Sequence, residues 1–267
     1  MKIIAEIGWN HLGDMNLAKK MIHQAAKLGV DYCKFQTWSV KNLKEGSWDH
    51  DGRREIYKKA ELSKEQHFEL KEYCESNNTK FLTTIFNIND LEFLKKLSPN
   101  LIKIGSPEAY NLELIKKCLL NFDKVILSTG ATNWKEVEKF KDLHNINKLV
   151  LLHCVSSYPC DPNNANMPKM KKLREIVDRV GYSGHCDGVD DAIIAICNGA
   201  SYVEKHFTLD KNLPGRDNKF AIIPEEMELL CKFRDNYIKM SKDKGLNLQS
   251  IEKDVFEFAR GRWSKEI

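Results

Sequence analysis

KFLTTIFNINDLEFLKKLSPNLIKIGS, residues 80–106, opens with an apolar run (80–86), continues with Leu91, Leu94 and Leu97 at helical turn spacing, and closes with a second apolar run (101–106). A short strand, an amphipathic helix and another short strand make a βαβ unit, in which the two strands lie parallel. The pattern extends in both directions. Toward the N-terminus stand IIAEIG (3–8) and DYCKFQT (31–37), with Leu17, Met21, Ala25 and Leu28 on one helical face between them. Toward the C-terminus come KVILSTG (124–130), KLVLLHCV (148–155), GYSGH (181–185) and YVEKHFT (202–208). Eight strands, each followed by a helical pattern, predict an α/β chain folded as a (β/α)8 TIM barrel, a single domain over residues 1–240. Residues 241–267 are then a C-terminal tail with a short helix, Ile251 to Phe258.

Composition fits such a barrel and removes several classes of function. With 42% hydrophobic and 30% charged residues, the 267-residue chain is globular rather than disordered. Glu6 interrupts the apolar start MKIIAEIGWN, and no run approaches the ~20 apolar residues of a membrane span, so neither export nor membrane insertion is expected. The eight cysteines are dispersed from Cys33 to Cys231 and read as reduced thiols of a cytoplasmic protein. The neighbours His153-Cys154 and His185-Cys186 fall in apparent strands, where adjacent side chains face opposite ways, so neither pair is expected to chelate zinc. A net charge of +4 with scattered lysines lacks the basic stripe of a nucleic-acid binder. The longest insertion, residues 38–62, carries Trp38, Trp48, Arg53 and Arg54, and its exposed tryptophans would serve a lid or a subunit contact, which leaves a homodimer open.

Barrel active sites lie at the carboxyl ends of the strands, so the polar residues there, and their parity, indicate the chemistry. Glu6, Gly8 and Asn10 end strand one; Lys34 and Gln36 strand two; Thr84 strand three; Ser128 strand five; Ser156 and Tyr158 strand six; Ser183 and His185 strand seven; Glu204 and His206 strand eight. Strand four offers Lys103, Ser106 and Glu108, and Lys103 joins the other two only through a local irregularity. One strand-end hydroxyl or lysine is ordinarily satisfied by backbone or solvent. A ring of them is costly to bury without an anionic partner, which points to a carboxylate or phosphate held among Lys34, Lys103, Thr84, Ser106 and Ser128. His185 and His206 on adjacent strands would converge on one divalent metal, with water and substrate oxygens completing its shell. Glu6, Glu108 and Asp217 supply carboxylates for sugar hydroxyls or proton transfer, and Tyr158 a hydrogen bond and a ring face.

AEIGWNHLGD (5–14), KFQT (34–37), KIGSPE (103–108), ILSTG (126–130), LLHCVSSYP (151–159), GYSGH (181–185) and EKHFTLDKNLPGRDNK (204–219) together resemble the N-acetylneuraminate (sialic acid) synthase family over the whole barrel. The resemblance implies condensation of phosphoenolpyruvate with an open-chain N-acylated mannosamine-type sugar, giving a nine-carbon 2-keto acid and phosphate. It implies that Lys34, Thr84, Lys103, Ser106, Ser128 and Ser183 hold phosphoenolpyruvate and that His185 and His206 bind manganese or magnesium. Gln36, Glu108, Tyr158 and Asp217 would hold the amino sugar, with Ser156 where an asparagine is frequent, and Glu6 would sit beside the reacting carbons. Either Glu6 or Glu108 would assist water.

The resemblance also has departures. Family members commonly carry an antifreeze-like domain after the barrel that donates an arginine to the partner's sugar site, and the tail here is expected to be too short for one. Many read S-D-H where this chain has Ser183-Gly184-His185, and P-G-P-D where it has Pro214-Gly215-Arg216-Asp217. Arg216, or Arg260 or Arg262 in the tail, is expected to replace the missing arginine in part, or Arg216 to recognise a different sugar, such as an anionic one. Two other readings stand beside the synthase: a metal-dependent sugar-phosphate aldolase or epimerase, and a catalytically silent sugar-binding barrel.

Overall fold

In the computed structural model, which describes residues 1–263, eight parallel strands close on themselves in sequence order. They are β1 (Lys2–Glu6), β2 (Tyr32–Thr37), β3 (Lys80–Ile85), β4 (Leu101–Ile104), β5 (Lys124–Ser128), β6 (Leu149–Cys154), β7 (Arg179–Gly184) and β8 (Tyr202–His206). The helices are α1 (Met15–Lys27), α2 (Arg53–Ala60), α3 (Lys64–Ser76), α4 (Leu91–Leu97), α5 (Leu112–Asn121), α6 (Trp134–Glu138), α7 (Lys169–Leu173), α8 (Asp190–Cys197), α9 (Pro224–Met240) and α10 (Lys253–Phe258). The chain is therefore the (β/α)8 barrel that its alternation predicts.

Strand alternation builds two cores. Inward residues Ile4, Leu82, Leu101, Ile126, Val150, Leu152 and Tyr202 pack as an apolar plug inside the barrel. Their outward neighbours, such as Ile3, Ala5, Phe35, Ile102 and Leu127, meet helical residues such as Met21, Leu70, Ile115 and Leu230 in the layer between strands and helices. Local chemistry sets the helix starts. Asp14 caps α1 by accepting from the N–H groups of Asn16 and Leu17 at 2.8 and 3.0 Å, and Ser63 with Gln66 forms a capping box on α3. The last barrel helix is tied back to the beginning: Arg234 of α9 reaches Asp31 at 2.7 Å and the Gly29 carbonyl at 2.9 Å.

The insertion between β2 and α3 contains α2. Contrary to expectation Trp38 is not exposed. It is half-buried, with ring centroids 5.7 Å from Tyr57, 6.4 Å from Trp9 and 6.3 Å from Phe86, because aromatic surface at the barrel rim offers it a partner. Trp48 is 57% exposed and carries the Arg53 guanidinium over its ring at 3.8 Å. After α9 the chain runs out along α10, with Leu246, Leu248, Ile251, Val255, Phe258 and Trp263 all exposed. Residues 264–267, the end of the expected tail, lie outside the described residues. No described helix is long and apolar enough to cross a membrane.

Candidate active site

Above the apolar plug the same inward positions turn polar. Register makes neighbours of residues distant in sequence: Glu6 stands opposite Lys34 and His206, Thr84 opposite Gln36 and Lys103, and Ser183 opposite Glu204. Lys34 Nζ lies 2.7 Å from Glu6 Oε2 and donates to Thr84 Oγ1 at 2.9 Å. Gln36 Nε2 donates to Glu6 Oε1 at 2.5 Å. Lys103 Nζ donates to Ser128 Oγ at 2.7 Å. Glu204 Oε1 joins the halves, 3.6 Å from Lys34, 3.5 Å from Lys103, and accepting from Ser183 Oγ at 3.1 Å.

This arrangement corrects one expectation. The lysines do not stand without anionic partners, since Glu6 and Glu204 neutralise them and all four are buried. Burial opposes every one of these charges, and the balance differs from group to group. Burial pushes the Glu6 carboxyl up against the pull of Lys34. In Glu204 burial is outweighed by Lys103 and Lys34, which hold its carboxyl down. Burial lowers Lys103, with Glu204 compensating only in part, whereas Glu204 and Glu6 overcome burial at Lys34 and hold it high.

Strand four ends at Ile104; Gly105 breaks its period, and Ser106–Glu108 form a 3-10 turn, so Lys103 and Ser106 both reach the mouth. Ser106 Oγ accepts the Gly130 N–H at 3.1 Å and lies 3.5 Å from Cys154 Sγ. A Cβ at Gly130 would fall 2.3 Å from Ser156 Oγ and 2.7 Å from Ser106 Oγ, so only glycine lets these loops meet. Ser156 itself is exposed at the rim. Glu108 stands apart from the lysine cluster and accepts from Asn111 Nδ2 at 3.1 Å.

His185 lies just beyond β7 rather than within a strand, so the pair His185-Cys186 is not strand-borne as expected. The two side chains nonetheless diverge, Cys186 into a small cluster with Cys160 and Ala165. His185 Nδ1 is 2.8 Å from the Val155 carbonyl, which assigns the proton to Nδ1 and leaves Nε2 as a lone-pair donor. Its ring centre is 5.4 Å from that of His206. His206 is driven well below the ordinary histidine range by burial and then by His185 and the lysines, so its imidazole is neutral. His206 Nδ1 is buried with no hydrogen-bond partner, and Asp217 Oδ2 lies 3.4 Å from it. Burial, reinforced by Glu6, raises Asp217 to about 7. Tyr158 covers the pair, its ring 4.2 Å from His185, and Phe220 closes the other side 5.0 Å from His206.

Among the described residues no three His, Cys, Asp or Glu side chains form a complete metal cage. Two imidazoles with a neighbouring carboxylate do fit a divalent ion whose remaining positions are filled by water or substrate oxygens; the partners of His185, Cys154 first, hold its proton more firmly than usual, so an ion would have to displace it. Arg216 is exposed on the rim with Nη1 3.6 Å from Asp51, which also holds Arg53 at 2.8 Å, so the insertion reaches the loop after β8. Sequence reading gave no role to Glu204, the hub of the cluster, or to Cys154; both share the inward parity of their strands, which was the available signal.

A closed parallel barrel whose mouth gathers buried lysines, carboxylates, hydroxyls and paired imidazoles has the layout of a barrel enzyme, with its polar residues at the carboxyl ends of the strands. The chain belongs to the NeuB family, whose profile matches residues 21–245. It is 36% identical to the N,N'-diacetyllegionaminic acid synthase of Campylobacter jejuni, over 95% of this chain and 83% of that protein. It is 35% identical to the N-acetylneuraminate-9-phosphate synthase of Drosophila melanogaster, over 88% of this chain and 67% of that one. The N-acetylneuraminic acid synthetase of Leptospira borgpetersenii, solved with citrate, superposes with a TM-score of 0.83 at 31% identity, covering 98% of this chain and 92% of that chain.

Proposed function

We propose that this chain condenses phosphoenolpyruvate with an open-chain N-acylated mannosamine-type sugar, releasing phosphate and a nine-carbon 2-keto sugar acid. The observation that carries the reading is the buried cluster of Lys34, Glu6, Lys103 and Glu204, rimmed by hydroxyls and set directly beside His185 and His206. Family membership and relatives named as synthases of nine-carbon sugar acids support it. Residues 1–240 are the catalytic unit, and a reducing, cytoplasmic setting fits eight unpaired thiols.

In this reading Lys34 and Lys103, with Thr84, Ser106, Ser128 and Ser183, hold the phosphate and carboxylate of phosphoenolpyruvate. Gln36, Ser156, Tyr158, Arg216 and Asp217 line the acceptor side. His185 and His206 would hold a divalent ion, manganese or magnesium, which when bound supplies Lewis acidity toward the sugar aldehyde oxygen. C3 of phosphoenolpyruvate bonds to the aldehyde carbon, whose oxygen takes a proton and becomes a hydroxyl. Water then adds at C2 while a carboxylate accepts its proton, and the C2–O bond to phosphate breaks to leave the ketone. Glu6 suits that step better than Glu108, because Glu6 lies in the lysine cluster with its carboxyl raised by burial, whereas the side-chain partner of Glu108 is Asn111, away from that cluster.

Manganese-dependent phosphate release from phosphoenolpyruvate tests the reading, with N-acetylmannosamine, its 6-phosphate and a diacetamido sugar offered separately. Turnover is expected with one of them, with the bridging oxygen of phosphoenolpyruvate retained in the released phosphate. A chain that binds manganese and releases no phosphate with any of the three would favour the sugar-binding barrel, and turnover of a sugar phosphate without phosphoenolpyruvate would favour the aldolase or epimerase.

A further inference from the structure

Gly184 ends β7 one residue before His185. A Cβ at this position would lie 2.4 Å from Asp191 Oδ2, 2.6 Å from Tyr182 Cε1 and 3.1 Å from Lys205 Cδ. The volume a side chain would occupy is thus filled by the Tyr182 ring edge and by the carboxylate of Asp191, which arrives from the first turn of α8. That carboxylate is buried and receives the Lys205 ammonium at 3.0 and 3.1 Å and the Tyr182 hydroxyl at 3.1 Å. Lys205 also donates to the Cys186 carbonyl at 2.7 Å. Lys205 sits between Glu204 and His206 on β8, pointing out of the barrel where they point in. The network therefore ties the backbone just after His185 to the residue just before His206.

We propose that Asp191 is a positioning residue for the two imidazoles, acting through Lys205 and the Cys186 carbonyl. The proposal rests on the functional reading above, in which His185 and His206 hold the divalent ion. His185 is fixed on one side by the Val155 carbonyl at its ring and by the Cys160 N–H at its own carbonyl, 2.9 Å away. Lys205 fixes the other side, and it can do so only while its charge is matched. Without Asp191 a fully buried ammonium would retain one carbonyl acceptor, a state so costly that the lysine side chain must move toward other partners and release Cys186. The missing side chain at Gly184 is what lets the Asp191 carboxylate lie against the strand beside Lys205.

Manganese titration of the full chain, followed by the electron paramagnetic resonance of the free ion, reads the effect without relying on turnover. Asp191→Asn keeps the shape and removes the charge. It is expected to weaken manganese binding by roughly 10- to 100-fold, the range for loss of a residue that orients a ligand, with circular dichroism unchanged. Asp191→Glu, which keeps a carboxylate for Lys205, is expected to bind manganese better than Asp191→Asn. Wild-type affinity in Asp191→Asn would overturn the role of Asp191 while leaving the synthase reading intact. A folded wild-type chain that fails to bind manganese would instead overturn the metal assignment, and this proposal with it.

Discussion

Glu6 and Glu108 are both carboxylates of a barrel mouth, yet only Glu6 shares an ion pair with Lys34 at 2.7 Å. Glu6→Gln is expected to lower kcat by roughly 10²- to 10⁴-fold, the usual scale for a lost general base, while Glu108→Gln costs less than about tenfold. Steady-state phosphate release by the two variants decides, and the opposite order would move the proton-accepting role to Glu108. His11 makes a second prediction, concerning stability. Burial holds it neutral, at about 4, and its Nδ1 accepts the Gly13 N–H at 3.0 Å. An unfolded His11 binds its proton near 6.5, so as pH falls from there toward 4 the unfolded state gains the proton first and stability drops. The loss from this one residue approaches roughly 3 kcal/mol by the bottom of that window. Urea unfolding at about pH 7 and about pH 4.5 should show it in the wild type and not in His11→Gln; equal losses would exonerate His11. Parity in the sequence was enough to find Lys34, Thr84, Ser128, Ser183 and His206. It did not reveal that Glu204 neutralises Lys103, because alternation says which face a side chain takes and not which residue a hundred positions away it meets.

Strands and their following helices were legible as elements because parallel strands buried on both faces read as apolar runs and the helices keep a one-sided stripe. The insertion was legible only as an interruption. Its helix α2, RREIYKKA, is mostly charged and buries only Ala60, so its periodicity carries little signal. Trp38 was misjudged for the same reason, since its partners Trp9 and Phe86 come from other loops. The 3-10 turn at Ser106–Glu108 could be inferred as a need, from the broken parity of Lys103, though not as a geometry. The bridge from Arg53 through Asp51 to Arg216 ties the insertion to the loop after β8, which in the proposed reading borders the acceptor. Arg216→Ala is expected to raise the acceptor KM by about tenfold or more, as for loss of a charged hydrogen bond, with the phosphoenolpyruvate KM and kcat little changed. An unchanged acceptor KM would remove Arg216 from the site.

At the scale of the molecule, all eight strands and helices α1 to α9 lie before residue 241. Leu246, Ile251, Val255, Phe258 and Trp263 are exposed, and Arg234 already locks α9 to Asp31. A chain ending at Met240 is therefore expected to melt within about 2 °C of the full chain, because residues 241–263 remove almost no apolar surface from water on the barrel. A much larger fall would mean that the tail contributes to the barrel's stability. The closure that makes the barrel complete pairs Lys2–Glu6 with Tyr202–His206. During synthesis, then, β1 is the first strand to leave the ribosome and must wait for β8 before both its edges are paired. At translation rates of ~5–20 residues per second the wait is on the order of ten to forty seconds. Throughout it a nascent strand with an unpaired edge, and the lysines and carboxylates of a half-made mouth, stand open to whatever the cell uses to shield unfinished chains.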